Sequence, residues 1–258
     1  MVAPSKRGLV DAHRIHVQFR DQAPSFLQRI AADSRVLIVE GISGSGKDTF
    51  QTYLKKIIKG RDVCEYSEGD VLQSWNQLQI EGISKLRLKL MKLFVKYLKN
   101  IVSRDENAIF ILNRFHLSAY VLTIIQDPKF KKEYDDIINL MRLLPVHVFI
   151  LQLDESEIEK RTLHPERSSA WHKFQQRITE REGFPNKRER YIWQQRLMLE
   201  LAGAQQIPYS VIKLASVSQV RGTRHDMPGA KKVVGGGDPI NSAGVKIYRR
   251  KRDLTRVL

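Results

Sequence analysis

The chain has a single cysteine, Cys64, among 258 residues, so no disulfide can close within it. A reducing cytoplasm is the expected setting. Long hydrophobic runs are missing too. The best, Met141 to Leu153, is broken by Arg142, Pro145 and His147 and falls short of the roughly 20 apolar residues a membrane helix needs. The opening MVAPSKRGLVDAHRIH lacks the apolar stretch of a secretory signal. His13 and His16 have no further ligands gathered near them, so no metal centre is read there. No internal repeat is visible. These absences leave a soluble protein with no membrane partner.

What is present in excess is positive charge. The chain carries 44 Lys and Arg against 28 Asp and Glu, a formal net charge of +16. Such a balance gathers polyanions, nucleic acid among them, and speeds their capture. It is equally the balance of a protein that handles small phosphorylated molecules. The length suits one α/β domain with extensions, and an apolar content of 42% supplies an ordinary core.

The stretch from Arg35 to Phe50, RVLIVEGISGSGKDTF, organises the rest. Val36 to Val39 is an unbroken apolar run, as in a parallel strand buried on both faces. Gly41, Ile42, Ser43, Gly44, Ser45, Gly46, Lys47, Asp48 and Thr49 then form a glycine-rich loop containing a lysine. Phe50, Tyr53, Leu54, Ile57 and Ile58 follow at helical spacing, with Gly60 placed to end the helix. Strand, glycine loop and helix together make a phosphate-binding loop. Glycines let backbone N–H groups turn inward around phosphate oxygens, and the helix points its positive end at them. Lys47 would reach the β- and γ-phosphates of a nucleoside triphosphate held by residues 41–49. The strict pattern has Ser or Thr directly after the lysine, for magnesium. Here Asp48 stands there and Thr49 follows, and either could serve the metal.

The remaining pattern alternates strands and helices, which predicts a parallel sheet covered on both faces. Residues 1–34 read as an N-terminal extension with a short helix at Ser25 to Ala32. A strand is expected at Asp62 to Ser67, with Glu68 and Asp70 at its end, where ligands bind in open parallel sheets. A helix should restart after Gly82 with Ser84 as N-cap. Its apolar stripe is read as Leu86, Leu90, Leu93, Phe94, Tyr97 and Ile101, flanked by a row of Lys85, Lys89, Lys92, Lys96 and Lys99. That row could track a phosphate backbone or simply be a solvated face. Strands are expected at Ala108 to Leu112, Val146 to Leu153 and Ser210 to Ala215, with a long helix over Arg188 to Gly203. Asp154 to Glu157 reads as a capping box. The α/β domain spans 35–215. Beyond it, 216–258 holds Gly235 to Gly237, Pro239 and the cluster Arg249 to Arg252. With ten Lys/Arg against three Asp, it reads as a basic, flexible tail that suits loose contact with nucleic acid or a docking partner.

These pieces resemble the P-loop nucleoside and nucleotide kinases, thymidylate kinases above all, over roughly residues 35–215. Glu40 to Thr49 is similar to that family's phosphate loop, which usually has Asp where Ser43 stands. Asn113-Arg114-Phe115 with Ser118-Ala119-Tyr120 resembles its Asp-Arg-Tyr motif, with Asn113 in the aspartate's place. Arg161 and Arg167 fall where the family has lid arginines. The resemblance implies a five-stranded parallel sheet, an arginine-bearing lid, magnesium-ATP as donor, and an acceptor held by Arg114. In the family the loop aspartate reads the acceptor's 3′-hydroxyl, so Ser43 suits an acceptor whose 3′ oxygen is already esterified, as within DNA. Deoxynucleoside kinases use a carboxylate base shortly before a tryptophan. Asp70 with Trp75 is similar, and Glu68 is the neighbouring candidate. Some relatives phosphorylate 5-hydroxymethyluracil in phage DNA. The expectation is an ATP-dependent kinase of that kind, acting on a flipped or single-stranded base with Trp75, Phe115 and Tyr120 as stacking candidates. The alternatives are a kinase of free nucleosides or nucleoside monophosphates and a non-catalytic ATP-binding nucleic-acid module. Oligomeric state is not read from the sequence.

Overall fold

The computed structural model describes residues 16–18, 23–71, 82–163 and 168–214. Trp75, Pro165, Arg167 and the tail at 216–258 lie outside them. One parallel sheet contains β1 (His16–Gln18), β2 (Val36–Glu40), β3 (Asp62–Tyr66), β4 (Ala108–Asn113), β5 (Val146–Gln152) and β6 (Tyr209–Lys213). Its order is β1-β6-β5-β2-β4-β3. The last five are the strands the sequence predicts. β1 is an addition: part of the N-terminal extension pairs with the β6 edge, Val17 opposite Ile212. Three residues are too few to show a period, so only the open edge of β6 reveals this strand.

The helices are α1 (Ala23–Asp33), α2 (Lys47–Ile57), α3 (Glu68–Val71), α4 (Ile83–Val102), α5 (His116–Ala119), α6 (Lys131–Met141), α7 (Ile158–Thr162), α8 (Ser169–Arg181) and α9 (Lys187–Ala204). A π-helical turn, Tyr120–Ile124, follows α5 directly. Every residue of β2 and β4 is buried, because helices cover both faces of the sheet. Alternate side chains go opposite ways. Val36, Ile38, Phe110, Leu112, Val148 and Ile150 meet α4, α6 and α9. Leu37, Val39, Ile109, Ile111, Phe149 and Leu151 meet α1 and α2, where Leu27, Ala31, Phe50 and Leu54 close the layer. Each such side chain contributes about 1.5–3 kcal/mol by leaving water, and together they fix the strand ends that carry the site.

Helix α4 corrects the sequence reading. The residues it buries are Leu88, Met91, Val95 and Leu98, together with Arg87. Leu86, Leu93 and Tyr97, expected in the apolar stripe, are exposed, whereas Phe94 and Ile101 pack partly against the core. The helix has apolar residues on two flanks, and periodicity cannot choose between them. Contact with the sheet and α6 does. Of the lysine row, Lys85, Lys89, Lys96 and Lys99 are exposed, while Lys92 pairs with Asp136 of α6 at 2.8 Å. Ser84 is not the N-cap; Gly82, with φ of 77°, makes the left-handed turn into the helix. Asp154 is likewise no helix cap. Its Oδ1 accepts from the Ser156 N–H and hydroxyl in a turn before α7, and Glu157 stands at the cap position.

His147 lies against Phe149, with ring centroids 4.9 Å apart, and its Nε2 is 2.9 Å from Ser210 Oγ. Burial pushes its pKa down to about 4, and that of His116 to about 3. A base whose folded pKa is depressed adds stability fully above its unfolded pKa, and that stability is lost as pH falls. Urea unfolding should therefore show stability declining from pH 6.5 towards 4. His147→Gln should flatten this limb by an amount on the order of 2 kcal/mol. An unchanged slope in the variant would remove His147 from the account.

Candidate active site

The site forms beyond the C-terminal ends of β2 and β4, which run side by side with Val39 opposite Asn113. Leaving β2, the chain turns through Gly41 (φ 144°), Gly44 (φ 77°) and Gly46 (φ 77°), conformations that L side chains resist. Gly46 is also the residue from which α2 starts. The turn is tight: a Cβ on Gly41 would lie 2.8 Å from the Leu151 carbonyl oxygen. Lys47 is buried and its Nζ donates to the Ile42 carbonyl at 2.8 Å, so the ammonium folds across the loop it belongs to. Ser45 is fully buried and its Oγ has no hydrogen-bond partner among the described residues. A cradle of glycine amides, an ammonium and an orphaned hydroxyl fits phosphate oxygens, and residues 41–47 would hold them.

Around this loop the structure brings in residues from distant parts of the chain. Asp48 and Thr49 are exposed in the first turn of α2, and Asn113 Nδ2 donates to Asp48 Oδ1. Arg114 has φ of 66°, a left-handed conformation costing a non-glycine residue about 1–2 kcal/mol. Its N–H donates to the Val39 carbonyl at 2.9 Å, tying it to β2. The residue that enforces this corner is Glu40, to which the sequence reading gave no separate role. Its buried Oε1 accepts from the N–H groups of Phe115 (2.8 Å), Leu117 (3.1 Å) and Ser118 (3.4 Å), and Oε2 accepts from the Ser118 hydroxyl (2.6 Å). Burial raises the Glu40 pKa, and those donors and the nearby Arg114 oppose the rise. The available signal was a carboxylate ending an otherwise apolar buried strand.

The other expected residues divide. Arg161 lies on α7, and its backbone presses on the loop: a Cβ on Gly44 would lie 2.5 Å from the Arg161 carbonyl oxygen. Arg167 and Trp75 lie outside the described residues, as does the Glu68 side chain. Asp70 is exposed. Its Oδ2 accepts from the Ser67 N–H and hydroxyl, both at 2.7 Å, and these bonds lower its pKa. Phe115 is a core residue, 5.9 Å from Phe94, and Tyr120 packs on Tyr134 at 5.0 Å. A second residue missed from sequence is Arg87 of α4, buried and donating to Thr123 Oγ1 at 2.8 Å in the π-helical turn. It ties α4 to the segment that follows Arg114. Among the described residues no three His, Cys, Asp or Glu cluster for a metal, and no helix is long and apolar enough to cross a membrane.

A parallel sheet whose five main strands run β6-β5-β2-β4-β3, with a glycine loop between β2 and α2, is the P-loop kinase fold. No family model matches the chain, and no curated protein matches its sequence. Among solved structures it is similar to thymidylate kinase from Candida albicans, at 16% identity over 74% of this chain and 88% of that one, with a TM-score of 0.44. Thymidylate kinase from Ehrlichia chaffeensis is similar at 19% identity, 71% and 88% coverage and a TM-score of 0.42. For deoxyadenosine kinase from M. mycoides the values are 14%, 72% and 95%, and 0.40.

The contact between loop and α7 gives a test. Gly44→Ala meets both a left-handed backbone and the Arg161 carbonyl, whereas Gly60→Ala meets the same φ region (69°) with open space around it. Thermal unfolding should show Gly44→Ala lowering Tm by about 4–8 °C and Gly60→Ala by about half as much. Equal losses would mean that α7 yields to the loop.

Proposed function

We propose that this protein is an ATP-dependent phosphotransferase acting on a nucleoside or nucleotide-type acceptor. The observation that carries the reading is the loop itself, with three positive-φ glycines, Lys47 folded over the Ile42 carbonyl and a buried unpartnered Ser45 hydroxyl at the mouth of the sheet. Bound magnesium-ATP would supply the γ-phosphoryl group and part of its charge neutralisation. Lys47 and the loop amides would hold the phosphates, and Asp48 or Thr49 would place the metal. Arg114, fixed by Glu40 and β2, would grip the acceptor opposite the loop. Arg161 and Arg167 would offset charge developing on the transferred group. For a hydroxyl acceptor, Glu68 or Asp70 would take the proton, although Asp70 is weakened as a base by its bonds to Ser67.

A second reading keeps the same donor site and makes the acceptor a hydroxymethyl pyrimidine in DNA. It is favoured by the net charge of +16, by the exposed lysines of α4 and by Ser43 in place of a carboxylate. Transfer of labelled γ-phosphate separates the two readings. The panel contains free nucleosides, monophosphates, hydroxymethyluracil DNA and matched thymine DNA. Label should enter a free nucleoside or monophosphate, and Lys47→Ala should lower the rate at least about a hundredfold. Label confined to the modified DNA, with binding that falls about a thousandfold between roughly 50 and 200 mM salt, would establish the second reading instead. Where the labelled acceptor is a hydroxyl, at least one of Glu68→Gln and Asp70→Asn should lower turnover about a hundredfold. If neither does, the assigned base is wrong.

A further inference from the structure

Two residues that break the usual phosphate-loop pattern touch each other. Where such loops meet a metal, a Ser or Thr after the lysine and an Asp on a neighbouring strand ordinarily share the work. Here the carboxylate, Asp48, stands on the loop side, and the strand neighbouring β2 ends in a neutral amide, Asn113. They are 65 positions apart, and Asn113 Nδ2 donates to Asp48 Oδ1. We propose that this pair is a divalent-cation site in which the carboxylate has moved from strand to loop. Asp48 ligates the cation, and Asn113 Oδ1 accepts a hydrogen bond from one of its waters. This rests on the loop holding a nucleoside triphosphate.

Three observations carry it. Asn113 is 4% exposed, and its Oδ1 is buried with no hydrogen-bond partner among the described residues. An acceptor sealed in this way is a liability unless a donor arrives with a ligand. With the amide nitrogen committed to Asp48, the oxygen is what Asn113 offers, and the water of a hydrated cation is a donor of the right kind. Asp48 is exposed in the first turn of α2, with Oδ1 engaged by Asn113 and no hydrogen bond to Oδ2 among the described residues. That leaves a carboxylate oxygen for a hard cation beside the phosphates. No third carboxylate, histidine or cysteine gathers among the described residues. This suits magnesium, which keeps most of its waters and takes one or two carboxylates plus substrate phosphates. Thr49 lies about 100° further round α2 and forms no bond to Asn113, so the assignment falls to Asp48.

The same contact explains why the strand residue is neutral. Asp at position 113 would set two carboxylates within hydrogen-bonding distance, a contact that in the metal-free protein would need a shared proton, whereas an amide at one position makes it without one. Asn113 is thus the complement of Asp48, not the remnant of a lost site. The pair should tolerate exchange as a unit: Asp48→Asn with Asn113→Asp recreates the bond with donor and acceptor reversed.

The test measures ADP affinity by calorimetry, with and without Mg2+, and Mn2+ binding by electron paramagnetic resonance. The proteins are wild type, Asp48→Asn, Asn113→Asp and the exchanged double variant. Mg2+ should tighten ADP binding to the wild type. Asp48→Asn should lose about tenfold or more of that enhancement while its metal-free ADP affinity stays within about threefold. Asn113→Asp should unfold at lower temperature, and the double variant should recover both Tm and most of the metal enhancement. Full metal enhancement in Asp48→Asn, or a double variant no better than Asn113→Asp in both respects, overturns the inference. A wild type that binds no ADP with or without metal overturns the phosphate-loop reading beneath it.

Discussion

A carboxylate sealed inside the protein at the end of β2 holds the site together. Glu40 is fully buried, and an ionised carboxylate in that position would cost several kcal/mol without compensation. Three backbone N–H groups and one hydroxyl, all from residues 115–118, supply it. The dependence runs both ways. Those N–H groups open the short helix α5 and have no partners within it. Arg114, immediately before them, can keep its left-handed backbone only because the residues on both sides are pinned. Removing the Glu40 side chain would release the corner as well as a charge. The start of the glycine loop and Arg114 are therefore held by one set of hydrogen bonds.

Around that corner the site is closed by backbone as much as by side chains. Gly44 is approached so closely by the Arg161 carbonyl that only hydrogen fits at its α carbon. The arginine-bearing helix α7 is thus placed by contact with the loop. Behind it, Gln195 of α9 brackets Leu153, accepting from its N–H and donating to its carbonyl at 2.9 Å each. Arg190 of the same helix is buried against Glu182. These bonds fix the end of β5 and the turn after α8 to one rigid helix.

Local chemistry made much of this legible. The run VLIVE, the glycines at 41, 44 and 46 and the lysine after them are short-range signals for β2 and the loop, and the other four main strands follow from their own local patterns. Legibility failed where a pattern had two equally good answers. Helix α4 carries apolar residues on two flanks, and only the sheet chose Leu88, Met91, Val95 and Leu98. It failed again where too few residues carried the signal, as in the three-residue strand β1. The readings of Ser84 and Asp154 as caps were chemically sound, since both residue types cap helices. Gly82 and Glu157 took those places because the paths into α4 and α7 turn elsewhere.

By itself the sequence determined a parallel α/β sheet and a glycine-rich turn between its first predicted strand and the helix that follows. Both depend on periodicity and backbone freedom over a dozen residues. Tertiary structure alone decided which charges act together. Glu40 and Ser118 are 78 positions apart, and Asp48 and Asn113 are 65. Contacts over such separations depend on strand order, and no local pattern records that. An asparagine that departs from a linear motif donates, in the folded chain, to the carboxylate of Asp48.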